Sequence, residues 1–286
     1  GARRLAGDLE LAGAILVGPD GIARFATTEP GPPAGDGVLP DGGLVVFRRA
    51  GARLLFDVGP LGYLSIAAHG HADALQVDLA VDGHEVVSDP GTGSYFADPT
   101  LRRALRITRA HATVAVDGRD QSEQAGPFLW TRHARARLVR LDLDAGFAVG
   151  EHDGYSALEP PVSHRRTVAA LPVGYLVIDR LSCASTRLYE QTWPLAPELE
   201  PTVDDDRVLV ARDGAVVLVV HGAGPGDLVV ARDGRHSRAL ESSVPVWTVR
   251  RSIRAVGIVE VACLFVPVRA GDLQPSTRLA LEQGTS

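Results

Sequence analysis

The chain has 286 residues, 45% of them hydrophobic and only 5% aromatic, with 31 glycines, 19 prolines and a net charge of −6. That balance is ample for a large buried core, favours many short elements joined by tight turns, and excludes a global nucleic-acid footprint. All 29 basic residues are arginine, and methionine and asparagine are both absent, so there is no N-glycosylation sequon and the chain reads as a processed fragment from a GC-rich genome.

No apolar run reaches transmembrane length, and the N-terminus lacks a signal-peptide pattern. Residues 1–25 predict a short helix or the tail of a helical region. Residues 29–43 form a linker-like loop dense in proline and glycine. After it the apolar period becomes two. Residues 43–48 and 53–57 predict a hairpin, and Leu75, Val77, Leu79 and Val81 predict a half-buried strand that turns at Asp82-Gly83 and returns through Glu85-Val86-Val87-Ser88. Residues 98–109 read as a capped short helix or an irregular excursion, and 113–116 as a strand. Strand-like runs then recur at 134–141, 147–151, 164–170, 175–181, 189–193, 207–212, 216–221, 247–253 and 256–266. The fold class this predicts is all-β: a large antiparallel two-sheet β-sandwich with a short N-terminal helical or irregular remnant. Cys183 and Cys263 lie in strand-like runs far apart; two buried free thiols are expected, one disulfide being the alternative.

The chemistry gathers between Tyr63 and Trp130. His69, His71 and Asp73 are spaced i, i+2, i+4, which places all three on one face if the chain is extended. The same parity runs into Leu75, Val77 and Leu79, so the polar triplet sits at the mouth of a buried face, where polarity needs compensation. A three-residue turn at Asp82-Gly83-His84 would pair Val77 with Asp89 and bring Asp89 to the histidine side; a two-residue turn would put it on the other face. His111 would complete a set of two imidazoles and a carboxylate with one open position, which suits Zn2+. Several arginines surround this stretch, among them Arg102, Arg106 and Arg109; most read as solvated, and a few as clamps for an anionic substrate. Tyr63 and Tyr95 flank the histidines as acid–base candidates or sheet packing, and Trp130 reads as a sugar-stacking platform or core.

Gly59-Pro60-Leu61-Gly62-Tyr63, His69-Gly70-His71-Ala72-Asp73-Ala74-Leu75, Asp89-Pro90-Gly91-Thr92, Arg106-Ile107-Thr108-Arg109-Ala110-His111 and Asp117-Gly118-Arg119-Asp120-Gln121-Ser122-Glu123 come in one order. In these pieces the chain resembles the C-terminal β-sandwich region of the heparinase II/III-like polysaccharide lyases. The resemblance implies zinc held by His71, Asp89 and His111, a cleft histidine in His69, and a catalytic tyrosine for which Tyr95 is the nearest candidate; Arg106, Arg109 and Tyr63 are then the substrate-binding candidates. It implies β-elimination on an anionic, uronic-acid polysaccharide such as a glycosaminoglycan or alginate, and a periplasmic, cell-envelope or secreted full-length protein. Two departures stand out. The family's Asn after the metal histidine is Ala112 here, and no room exists before residue 40 for the helical (α/α) toroid that supplies the main catalytic Tyr and His. The domain expectation is a remnant and linker over 1–40 and one sandwich domain over 41–286, inactive alone. The alternatives are a non-catalytic carbohydrate-binding or structural sandwich with structural zinc, and a cupin-type metalloenzyme. Against the cupin, Leu75 and Gln76 stand where its glutamate would be.

Overall fold

A computed structural model of the chain describes residues 18–21, 23–24, 27, 35–49 and 51–268. In chain order the strands are β1 (Gly37–Leu39), β2 (Leu44–Arg49), β3 (Ala52–Asp57), β4 (Val77–Val81), β5 (His84–Val87), β6 (Val114–Val116), β7 (Glu123–Gly126), β8 (Leu129–Arg132), β9 (Ala136–Asp142), β10 (Phe147–His152), β11 (Ser163–Leu171), β12 (Gly174–Pro194), β13 (Leu199–Asp204), β14 (Arg207–Arg212), β15 (Ala215–Ala223), β16 (Val229–His236) and β17 (Val244–Pro267). One helix, α1 (Pro99–Ala104), and a 3₁₀ turn at Thr108–Ala110 lie between β5 and β6. The first sheet runs β1-β2-β3-β4-β5; the second runs β13-β14-β15-β17-β12-β11-β10-β9, with β16 beside β17 and β6 beside β12; β7 and β8 form a separate hairpin. All pairings are antiparallel.

The alternation read from the sequence is the alternation of burial. Ala52, Leu54 and Phe56 of β3 point inward while their neighbours are less buried. They join Val168, Val177, Trp193 and Phe265 of the facing sheet in one continuous core. Fully burying such a side chain stabilises by about 1.5–3 kcal/mol. Tyr175 ties the layers at the rim: its hydroxyl accepts from Arg49 N (3.0 Å) and donates to Ala52 O (2.8 Å) across the β2–β3 hairpin.

The expected runs 175–181 and 189–193 are one strand, β12, and 247–253 and 256–266 are one strand, β17. The two pair along most of their length, with a register shift between Cys183 and Arg187. A bulge there lets small polar residues interrupt the apolar pattern without ending the ladder. The expected short helix is α1, with Pro99 at its start and Asp98 Oδ1 accepting from Leu101 N (2.9 Å). Of the N-terminal helical expectation, residues 18–21, 23–24 and 27 are helical; residues 1–17 lie outside the described residues.

Gly150 on β10 packs directly against side chains of β3 and the connection that follows it. A Cβ there would lie 2.6 Å from Val58 Cγ1, 2.7 Å from Leu75 Cδ2 and 2.9 Å from Phe56 Cζ. Gly150→Ala is therefore expected to lower unfolding free energy by about 1–3 kcal/mol in urea titrations, with an unchanged m-value.

Candidate metal centre and cleft

After β3 the chain leaves the sheet and re-enters it only at Val77. The stretch between is built of turns, in which Leu64, Ala67 and Leu75 take φ of 56°, 44° and 64°. Left-handed backbone at non-glycine residues costs on the order of 1–3 kcal/mol each and persists where the surroundings over-determine it. Here Leu75 N donates to Asp57 O (3.0 Å), Gln76 N to Asp73 O (2.8 Å) and Ala72 N to Arg106 O (3.0 Å). The expected extended geometry at residues 69–73 is thus corrected to a turn, and the two histidines diverge: His71 is buried and His69 is exposed. Gly70 between them packs so closely that a Cβ would lie 2.0 Å from Leu61 O.

Asp89 arrives by a different route from the one expected. The β4–β5 turn has two residues, Asp82 and Gly83 (φ 51° and 81°), and Val81 pairs with His84. That register alone would send Asp89 to the wrong face. A bulge between Leu79 and Ala80 shifts the pairing so that Leu79 meets Val87, which restores the parity. The three-residue turn is corrected; Asp89 nevertheless lies with the histidines.

His71, Asp73, Asp89 and His111 each present a ligand atom, all within 4.8 Å of one another. His71 Nδ1 lies 3.0 Å from His111 Nε2, which lies 3.6 Å from Asp89 Oδ2. His111 Nδ1–H donates to Ile107 O (2.8 Å), which leaves its Nε2 lone pair facing the cluster. Gly91 N donates to Asp89 Oδ1 (2.7 Å), and Gln76 Nε2 to Asp89 Oδ2 (3.4 Å). His71 Nε2 is buried without a partner.

Burial, then His111, depresses the His71 pKa to about 3. Burial also depresses His111 against the pull of Asp89, so both imidazoles are neutral. Burial, then Asp57 and Asp89, pushes Asp73 well above the carboxylate range. Asp57 rises to about 6 by burial, and Asp78 to about 8 by burial and the nearby Asp89. Asp89 is the exception. Burial pushes it up, but its coupling to His111 and His71, which favours a carboxylate beside the imidazoles, and the Gly91 N–H outweigh that and hold it below the ordinary carboxylate value. Two neutral imidazole lone pairs and two carboxyl groups at these separations fit a divalent metal, whose N and O ligands lie about 2.0–2.2 Å from the ion for zinc.

The cluster forms one wall of a cleft of about 410 Å³, whose lining includes Tyr63, His69, His71, Asp73, Asp89 and Thr92. Tyr63 is 84% exposed. His69 meets Tyr95 edge-on, ring centroids 5.4 Å apart, and Phe128 at 6.3 Å. Arg106 is not a surface clamp: it is fully buried, stacks on Trp130 at 4.2 Å, and donates to Gly70 O (3.2 Å) and Gly126 O (2.8 Å). Arg102, equally buried, donates to Ala68 O (3.1 Å) and Pro127 O (3.2 Å). The two guanidinium groups therefore hold the carbonyls on either side of His69. Arg109 pairs with Glu190 of β12 at 3.2 Å and is not among the residues lining the cleft. Trp130 belongs to the interior, its Nε1 donating to Ala67 O (3.0 Å). Cys183 and Cys263 are buried free thiols. Sequence reasoning did not name Asp73 as a ligand, although its place two residues after His71 was the available signal. It left Arg102 open between a solvated side chain and a clamp for an anionic substrate, and foresaw neither its burial nor its carbonyl partners.

No helix among the described residues is long and apolar enough to cross a membrane. No curated protein sequence matches the chain at a significant level. Among solved structures, the heparan sulfate lyase HepC from Pedobacter heparinus superposes with a TM-score of 0.68 at 20% identity, covering 96% of this chain and 42% of that one. A heparinase III gene product gives 0.69 at 16% identity, covering 93% and 40%. Another heparinase III structure gives 0.66 at 15% identity, covering 83% and 37%. These likenesses show the fold, and the chain spans about two fifths of the length of the structures it matches. The family model for the Heparinase II/III-like, C-terminal domain matches residues 31–263, and the chain belongs to that family.

Proposed function

We propose that this chain is the sandwich half of a polysaccharide lyase, and that Zn2+ held by His71, Asp89 and His111, with Asp73 beside them, braces its cleft. The observation that carries this reading is the four-residue cluster of two buried histidines and two half-buried aspartates, opening on the cleft beside the exposed His69. When bound, zinc supplies a fixed positive charge that neutralises the crowded carboxylates and cross-links three segments of chain. The burial of His71 and His111 supports a bracing role over one in which the ion meets substrate.

The substrate class is a uronic-acid polysaccharide, cleaved by β-elimination. A base takes the C5 proton, the electron pair forms the C4–C5 double bond, the C4–O bond breaks, and an acid protonates the departing glycosidic oxygen. The C5 proton is acidic enough only when the adjacent carboxylate is neutralised. His69 is placed for that work on the cleft surface, with Tyr95 edge-on to it and Tyr63 on the wall for substrate contact. The partners are an anionic polysaccharide and an N-terminal (α/α) toroid domain carrying the other catalytic Tyr and His. The domain division is a remnant and linker over 1–40 and the sandwich over 41–286. Such a substrate places the full-length protein in the periplasm, at the cell envelope or outside the cell.

Elemental analysis is expected to find one zinc per wild-type chain and none in His111→Ala. Saturating zinc at about 1,000 times Kd should raise wild-type stability by about 4 kcal/mol and leave His111→Ala unmoved. Loss of zinc with no change in stability would sink the bracing role. Because burial and the neighbouring carboxylates raise the proton affinity of Asp73, zinc uptake in weak buffer should release protons and tighten as pH rises.

The chain alone is expected to yield no 4,5-unsaturated product from heparan sulfate, alginate or hyaluronate, followed by ultraviolet absorbance. Product from the purified chain would overturn the assignment of the main catalytic groups to another domain. Retention of polysaccharide by a longer protein that never cleaves it would favour a binding sandwich.

A further inference from the structure

The inward face of β11 turns polar at one end: His164 and Arg166 occupy the parity that Val168 and Ala170 continue. Opposite Arg166 on β12 stands Asp179, and both residues are 0% exposed. The guanidinium meets the carboxylate through two bonds, Nε to Oδ1 (2.7 Å) and Nη2 to Oδ2 (2.8 Å). Asp179 accepts two more, from His164 Nε2 and Gln191 Nε2, each at 2.7 Å. The proton positions follow from the chain of donors. Gly154 N–H donates to His152 Nδ1 (3.0 Å), so His152 Nε2–H donates to His164 Nδ1 (2.9 Å), and His164 Nε2–H is left for Asp179. Both imidazoles are neutral, and the buried unit carries one positive and one negative charge.

The remaining guanidinium nitrogen does not touch Asp179. Arg166 Nη1 donates to Leu75 O (2.8 Å) and to Ala112 O (2.5 Å). Leu75 is the left-handed residue two positions after Asp73, and Ala112 directly follows His111. Thr113 Oγ1 and Gln121 Nε2 also hold Ala74 O, at 2.8 and 3.1 Å, but these link loop to loop. Each loop has its own backbone tie to a strand, Leu75 N to Asp57 O of β3 (3.0 Å) and Thr192 N of β12 to Thr113 O (3.1 Å), and Arg166 joins both loops to one point of the second sheet.

We propose that Arg166 is the positioning residue of the metal centre. One nitrogen, fixed from behind by Asp179 and its neutral histidine pair, sets the separation between the segment bearing His71 and Asp73 and the segment bearing His111. This rests on the zinc reading above. It assigns the charged pair inside the sandwich a task beyond packing: replacing a buried ion pair by apolar residues of similar volume commonly leaves stability intact or raises it, so stability alone does not require the pair.

The test measures zinc Kd by competition with a chromophoric chelator, the visible spectrum of the cobalt-substituted chain, and thermal unfolding, for four proteins. Arg166→Lys keeps the buried charge opposite Asp179 but loses the fork, and is expected to weaken zinc binding about 10–100-fold and alter the cobalt bands. Arg166→Met with Asp179→Leu replaces the pair by apolar side chains, and should fold while losing affinity to a similar extent. Val210→Ala on β14 is the stability control, and should lower the melting temperature with zinc Kd within about twofold of wild type. Wild-type Kd and cobalt bands in Arg166→Lys would overturn the proposal, and that variant alone decides if the double variant fails to fold. An affinity loss in Val210→Ala matching that of Arg166→Lys would also overturn it. A wild-type chain that takes up no zinc overturns the zinc reading itself, and this inference with it.

Discussion

The constraint on which this structure turns is the crowding of half-buried acid. Asp57, Asp73, Asp78 and Asp89 crowd one end of the first sheet closely enough that Asp89, itself ionised, raises the proton affinity of the other three. The nearest positive groups do not relieve them. Arg102 and Arg106 are committed to backbone carbonyls and aromatic rings, and among the described residues neither pairs with a carboxylate. Both histidines of the cluster are held neutral. A buried site that gathers carboxyl groups and neutral imidazole lone pairs without a cation is unfavourable, and the same set with a divalent ion is not. The raised proton affinity of Asp73 is the counterpart of that crowding.

Bringing those groups together demands irregular backbone on both sides. On one side, turns with three left-handed non-glycine residues bend the chain so that His71 goes inward. On the other, an extra residue in the β4–β5 ladder corrects the face of Asp89. The connection also serves the sandwich, since its left-handed Leu75 is buried in the main core. Strain and bulges of this kind gather where a site must be aimed, and the surrounding hydrogen bonds then hold the geometry.

The sandwich was legible because its signal is local. Strict alternation at 52–57, 163–171 and 207–212 survives into the observed burial, and Asp98-Pro99 marks the helix start. That His71, Asp89 and His111 come together was legible through motif resemblance and through parity, yet the parity argument reached Asp89 by the wrong turn, since a bulge leaves no mark in a run such as Glu85-Val86-Val87. The merged strands β12 and β17 were read as four because polar residues interrupt each pattern while the ladder continues through them. Arg106 looked like a clamp because charge reads as surface. Its burial depends on carbonyls from Gly70 and Gly126, which no spacing reveals. Asp179 and Arg166 did sit on the inward parity of their strands, so the polar end of the core was written in the alternation and only its partners were not.

The division of labour between the two histidines follows from the residue between them. In an extended chain His69 and His71 would share a face and compete for one task. Gly70 lies against Leu61 O more closely than any side chain permits, and this lets the chain turn there. His71 enters the cluster and His69 stays in the cleft, with the carbonyls on either side of it gripped by Arg102 and Arg106. The cleft histidine is thus fixed from three directions: by two buried guanidinium groups, and through one glycine by whatever holds His71. On the reading proposed above, an ion held at His71 acts on His69 through the backbone, because the two residues are two positions apart on one turn held by these contacts.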